Sequence, residues 1–142
     1  MKIAHFSIIA LPFMLLASCG GQAPQSQAPQ SVADQKAQLC TDLARLNTSV
    51  AALKSMSPSS TVSDFRAARD EVETNFDQVK LTAQNVQDAK VAELEAAYQN
   101  LDSAIQSIPE TATLQQAMGS VDEQIAGVEA ARSQMNADLN CP

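Results

Sequence analysis

Apolar residues recur at alternating steps of three and four along most of the chain, with polar residues between them. The first stripe is Leu39, Leu43, Leu46, Val50 and Leu53; the second runs Val62, Phe65, Val72, Phe76, Val79, Ala83 and Val86. A third comprises Val91, Leu94, Tyr98, Leu101, Ile105 and Ile108, and a fourth Leu114, Met118, Val121, Ile125, Val128, Met135 and Leu139. This spacing puts each set on one side of an α-helix, and no segment alternates with the period of two that a half-buried strand requires. The pattern predicts an all-α protein.

The breaks between stripes carry their own chemistry. Ser55-Met56-Ser57-Pro58-Ser59-Ser60 reads as a loop, and Thr61-x-x-Asp64 caps the helix after it. Pro109-Glu110-Thr111-Ala112 is a second loop, followed by the capping box Thr113-x-x-Gln116. Between the second and third stripes there is no glycine or proline, only a five-residue step from Val86 to Val91. A turn near residues 85–88 fits that step. One straight helix would also keep its face, because Phe65 and Leu94 differ by only about 20° around a helix axis. An antiparallel bundle of four helices, up-down-up-down, is favoured over three helices with one long central helix. A single helix over residues 61–108 would be about 70 Å long and would leave part of its stripe bare. Gly119, ahead of Ser120-x-x-Glu123, reads either as an interruption of the last helix or as a small residue at a close helix contact.

The first residues follow a different rule. Met1-Lys2 gives a short basic start, an apolar run extends from Phe6 to Leu16, and the sequence Leu16-Ala17-Ser18-Cys19 follows. That apolar core suits an export signal and falls short of the roughly 20 residues a membrane-spanning helix needs. Leu16-Ala17-Ser18-Cys19 resembles the lipobox of bacterial lipoproteins. The resemblance implies diacylglycerol on the Cys19 sulfur, cleavage before Cys19 and acylation of the new amino group. Gly20, where an aspartate would favour inner-membrane retention in the enteric pattern, points to the outer membrane if the organism has one.

Gln22–Ser26 and Gln27–Ser31 are a tandem repeat of QAPQS with two prolines, and from residue 20 no charge precedes Asp34. Such a stretch cannot build a core and reads as a disordered tether, in which twelve residues reach about 35–40 Å when extended. The expected organisation is a signal peptide over 1–18, a lipid-anchored tether over 19–35 and a helical bundle over 36–142. The Ala/Gln/Asn-rich heptads also resemble the murein lipoprotein of enteric bacteria. That family ends in a lysine joined to peptidoglycan, whereas this chain ends Asn140-Cys141-Pro142, so the covalent wall link is not expected.

Composition narrows the chemistry. Removing an 18-residue signal from 142 residues leaves 124, room for one small domain. Lys2 and the only histidine, His5, leave with the signal, so eight basic residues remain against sixteen acidic ones, net −8. A nucleic-acid partner is disfavoured because nothing supplies a basic face for phosphate. Without a mature histidine there is no Ser-His or Cys-His pair and no Glu-x-x-His di-iron motif. No glycine-rich phosphate loop occurs either. With Cys19 lipidated, Cys40 and Cys141 form an even pair in an oxidising compartment, and one disulfide closing nearly the whole domain is expected.

Arg69 and Arg132 stand where their stripes expect an apolar residue. They read as partner contacts, or as long side chains snorkelling at the bundle rim, with Glu73 one turn from Arg69 as its partner. The acidic run Asp70, Glu71, Glu73 and Asp77 lacks a calcium-loop spacing and reads as a solvated face. Tyr98, on its stripe, reads as a packing residue. No metal ligand set, catalytic residue or cofactor is expected. The sequence points to a lipid-anchored, non-enzymatic envelope protein acting on another envelope protein or on its own copies, with the membrane as a partner through the lipid. The alternative is a small extracytoplasmic binding module or inhibitor holding an apolar or peptide ligand between helices.

Overall fold

Three of the four helices start at reciprocal caps written in the sequence. The computed structural model describes residues 31–87 and 89–142. The expected signal (1–18), Cys19 and the tether up to residue 30 lie outside the described residues. Helix α1 (Val32–Lys54) follows Ser31, whose hydroxyl accepts the Asp34 N–H at 3.2 Å while the Asp34 carboxylate accepts the Ser31 N–H at 3.3 Å. The same exchange opens α2 (Val62–Ala83) through Thr61 and Asp64, at 3.1 and 2.8 Å. It opens α4 (Leu114–Asp138) through Thr113 and Gln116, at 3.3 and 3.0 Å. Helix α3 (Val91–Gln106) begins without a side-chain cap. The Ser31–Asp34 box moves the start of the helical body to Val32, four residues before the expected boundary at residue 36.

The helices run up, down, up and down. α1 packs along α2 and α3 along α4; α1 against α4 and α2 against α3 close the ring, with a thinner seam at α2–α3. Antiparallel order shows in the pairing across that seam. Going up α3, Glu95 meets Lys80 at 3.7 Å, Asp102 meets Arg69 at 3.4 Å, and the Ile108 carbonyl accepts a hydrogen bond from Arg66 at 2.8 Å. Across α1–α4, Cys40 joins Cys141 while Lys54 meets Glu129 at 3.0 Å. The long central helix is not formed. α2 ends at Ala83, and the Val86 N–H bonds the Ala83 carbonyl at 3.0 Å, turning the chain so that Val86 tucks under the bundle.

All four stripes face inward. Every residue of the first two is buried, and in the third and fourth only Val91 and Met118 are partly exposed. Ala117 joins the core as an addition to the fourth stripe. The filling is mostly Leu, Ile and Val, at roughly 1.5–3 kcal/mol for each large side chain fully removed from water. Phe76 and Tyr98 stack across the α2–α3 seam with ring centroids 4.4 Å apart. Gly119 meets neither expectation: α4 passes through it unbroken, and a Cβ built there would have nothing within 4 Å. Gly119 lies on the exposed side of its helix, so no neighbour demands its small size. No helix among the described residues is long and apolar enough to cross a membrane.

Candidate functional site

The chain enters and leaves the bundle at the same end. Cys40, in the third turn of α1, is bonded to Cys141, 101 residues on, with Cα atoms 5.5 Å apart. What aims Cys141 is the close of α4. Asn140 takes the left-handed conformation, φ 51°, and donates its N–H to the Ala137 carbonyl, while the Cys141 N–H reaches back to the Asn136 carbonyl, both at 3.0 Å. That paired closure is the Schellman motif, and asparagine tolerates its left-handed residue better than most side chains do. The expected disulfide is therefore held by helix-end chemistry as well as by proximity.

Arg69 is turned to internal work. Its guanidinium pairs with Glu73 at 2.8 Å and Asp70 at 3.1 Å on its own helix. It also faces Asp102 across the seam, where Nε and Oδ1 lie 3.4 Å apart, an ionic contact not aligned as a hydrogen bond. Burial opposes the Arg69 charge, but the carboxylates of Asp102, Asp70 and Glu73 outweigh it and raise the pKa. Tyr98 is buried beside this cluster, and its hydroxyl has no hydrogen-bond partner among the described residues. Burial, then the negative charges of Glu73 and Asp102, push the phenol well above its ordinary value. Arg132 is half-buried on α4 and makes no ion pair among the described residues. The two arginines stand on different helices and form no joint site. Of the acidic run, Asp70 and Glu73 bind Arg69 and Asp77 sits 4.0 Å from Lys80. No group of three or more metal-ligating side chains occurs among the described residues.

One polar group escaped the reading of the sequence. Asp42 is only 1% exposed and accepts hydrogen bonds from Thr82 of α2 at 2.8 Å and from Gln38 at 3.1 Å, with Arg45 at 3.3 Å. Its position three residues after Leu39 and four before Leu46 places it on the inward stripe, which was the available signal. The Asp42–Thr82 bond is directional, and it fixes how α1 and α2 slide against each other.

The opposite end, formed by the loops at 55–61 and 107–113, has a different character. The 22 residues of α2 put it about 33 Å from the disulfide end. Two clefts open there. One, of about 480 Å³, lies around the α3–α4 turn between Ser107, Thr111, Gln116 and Ser120. The other, of about 330 Å³, is lined by Met56 and Pro58 from the first loop and by Leu114, Gln115 and Met118 from the start of α4. Gln115, Met118, Asp122 and Glu129 follow at steps of three, four and seven, so they share one face of α4.

Folding also sorts the charge. Residues 52–73 and 101–129 make up the end remote from the disulfide. They hold nine carboxylates (Asp64, Asp70, Glu71, Glu73, Asp102, Glu110, Asp122, Glu123, Glu129) against Lys54, Arg66 and Arg69, net −6. Among the described residues, the half bearing the disulfide holds five cations against six carboxylates, net −1. All three far-end cations are engaged: Lys54 with Glu129, Arg66 with Glu110, and Arg69 as above. Asp122 and Glu123 are exposed and have no ion-pair partner among the described residues. No family model, curated protein or solved structure matches this chain.

Proposed function

We propose that this protein is a lipid-anchored, non-enzymatic component of a bacterial cell envelope that works by contact with another protein. The observation that carries the reading is the placement of the chain ends. Ser31 begins α1, and Cys141 is bonded to the same helix, so a tether running to a lipidated Cys19 would hold the bundle by that end. The loops at 55–61 and 107–113 would then project into the extracytoplasmic space. The lipobox-like Leu16-Ala17-Ser18-Cys19 supplies the anchor in this reading. Two or three acyl chains give stable attachment where one gives only marginal binding. Fully buried aliphatic side chains fill the space between the helices, which favours contact through an outer surface over a ligand held inside.

The test is fractionation of cells expressing the full chain or Cys19→Ala. The wild-type protein is expected in the membrane fraction carrying acyl chains, and the variant as an unlipidated, slower-migrating precursor. Wild-type protein that is soluble and free of acyl chains would sink the anchored reading. Crosslinking in intact envelopes tests the second half, and a chain that never crosslinks to a protein there would refute action by contact.

A further inference from the structure

We infer that the apolar cleft at the far end is a docking site for a cationic polypeptide segment that presents one large apolar side chain. The inference rests on the proposed action by protein contact and adds the surface and the chemistry of the partner. The cleft supplies an apolar pocket, and the half of the bundle that holds it carries a net charge of −6. Its floor is Leu114, 5% exposed, and its walls include the partly buried thioethers of Met56 and Met118. Methionine side chains adapt to varied apolar shapes. About 330 Å³ accommodates a single leucine-, phenylalanine- or tryptophan-sized group. A central apolar anchor with a polar rim is the arrangement that concentrates binding energy at protein interfaces.

The rim chooses the partner. Asp122 lies one turn beyond Met118 on the same face of α4, while Glu123 points about 100° further round the helix and adds to the negative field of this end; neither has a cation of its own among the described residues. Lys54, the nearest cation in sequence to Met56, is already bound to Glu129. A segment carrying lysine or arginine therefore meets unpaired carboxylates, and the net −6 of this end steers it there from a distance. The same field opposes the rival occupants. A second copy docking end to end would bring −6 against −6, and an anionic membrane surface would be repelled for the same reason.

Random peptides displayed on phage, selected at low ionic strength against the purified full-length chain in detergent, test the idea. Enriched peptides should combine several Lys or Arg residues with one large apolar residue. The tightest of them should bind Met118→Ala and the double variant Asp122→Lys, Glu123→Lys each about tenfold more weakly than wild type, equivalent to about 1.4 kcal/mol. Added salt should weaken binding to the wild type more than to the charge-reversed variant. Glu93→Lys, a charge reversal near the disulfide end, should leave affinity within about twofold. Enrichment of acidic or neutral peptides, equal affinity for wild type and the far-end variants, or dimers crosslinked through Met118 would each overturn the inference. Selection is read on purified protein, so a failed anchor shows only in fractionation. If docking alone fails, crosslinking in the envelope still captures a protein through another surface.

Discussion

Filling the two glycine positions of α4 should make the protein measurably more stable. Gly119 and Gly127 both lie inside an unbroken helix, both have ordinary helical backbone, and a Cβ built at either would have nothing within 4 Å. Alanine is therefore sterically free at both sites. It also removes the extra backbone freedom that glycine carries in the unfolded chain, which is worth about 0.8–1.0 kcal/mol per site. The sites are eight residues apart, about 12 Å along the axis, far enough for the gains to add to about 2 kcal/mol. At roughly 4 °C per kcal/mol for a domain near this size, Gly119→Ala plus Gly127→Ala should raise the melting temperature by about 8 °C. Thermal melts followed by the helical circular dichroism signal, with the disulfide intact, read this directly. Single variants should each give about half the shift. An unchanged or lowered melting temperature in either would show that the glycine is needed for a bend or a contact, and would refute the account of α4 as an unbroken helix with open space at both positions.

Two further outcomes follow from the core and the seam. Cys40→Ser plus Cys141→Ser should lower the unfolding free energy by up to about 4.7 kcal/mol for a loop of about 100 residues, read as a markedly lower denaturant midpoint, while helix content at 25 °C stays largely intact. Two reactive thiols in unreduced protein beginning at residue 20 would show that the bridge is not made. Tyr98 is neutral in the folded state, with a raised pKa, so its contribution is complete below the ordinary phenol value near 10 and is lost as pH rises beyond it. Urea midpoints should accordingly fall less for Tyr98→Phe than for wild type between about pH 8 and pH 11, and identical falls would contradict the burial of the phenol.

The helical architecture was legible because all four helices are written as stripes, and α2 and α4 are written a second time as caps at their starts. Leu39 to Leu53 or Leu94 to Ile108 can hide only one face when wound at 3.6 residues per turn, and Thr61-x-x-Asp64 and Thr113-x-x-Gln116 satisfy backbone N–H groups that exist only at helix starts. Both signals are local, so they survive without knowledge of the rest of the chain. The paired cysteines were legible for a different reason: with Cys19 set aside for the lipobox, Cys40 and Cys141 are the two left to pair. Other features depended on what lies opposite. Whether residues 61–108 bend was decided by the packing of Val86 beneath the bundle, since the heptad break fits a turn and a straight helix alike. The role of Arg69 was decided by Asp102 arriving from α3, and that of Asp42 by Thr82 arriving from α2. Gly119 was misread because a glycine in sequence does not reveal whether its missing side chain would have met a neighbour. The sorting of charge to the far end is likewise invisible along the chain. Its nine carboxylates are scattered from Asp64 to Glu129, and only the antiparallel return of each helix brings them to the half of the bundle that holds the apolar cleft.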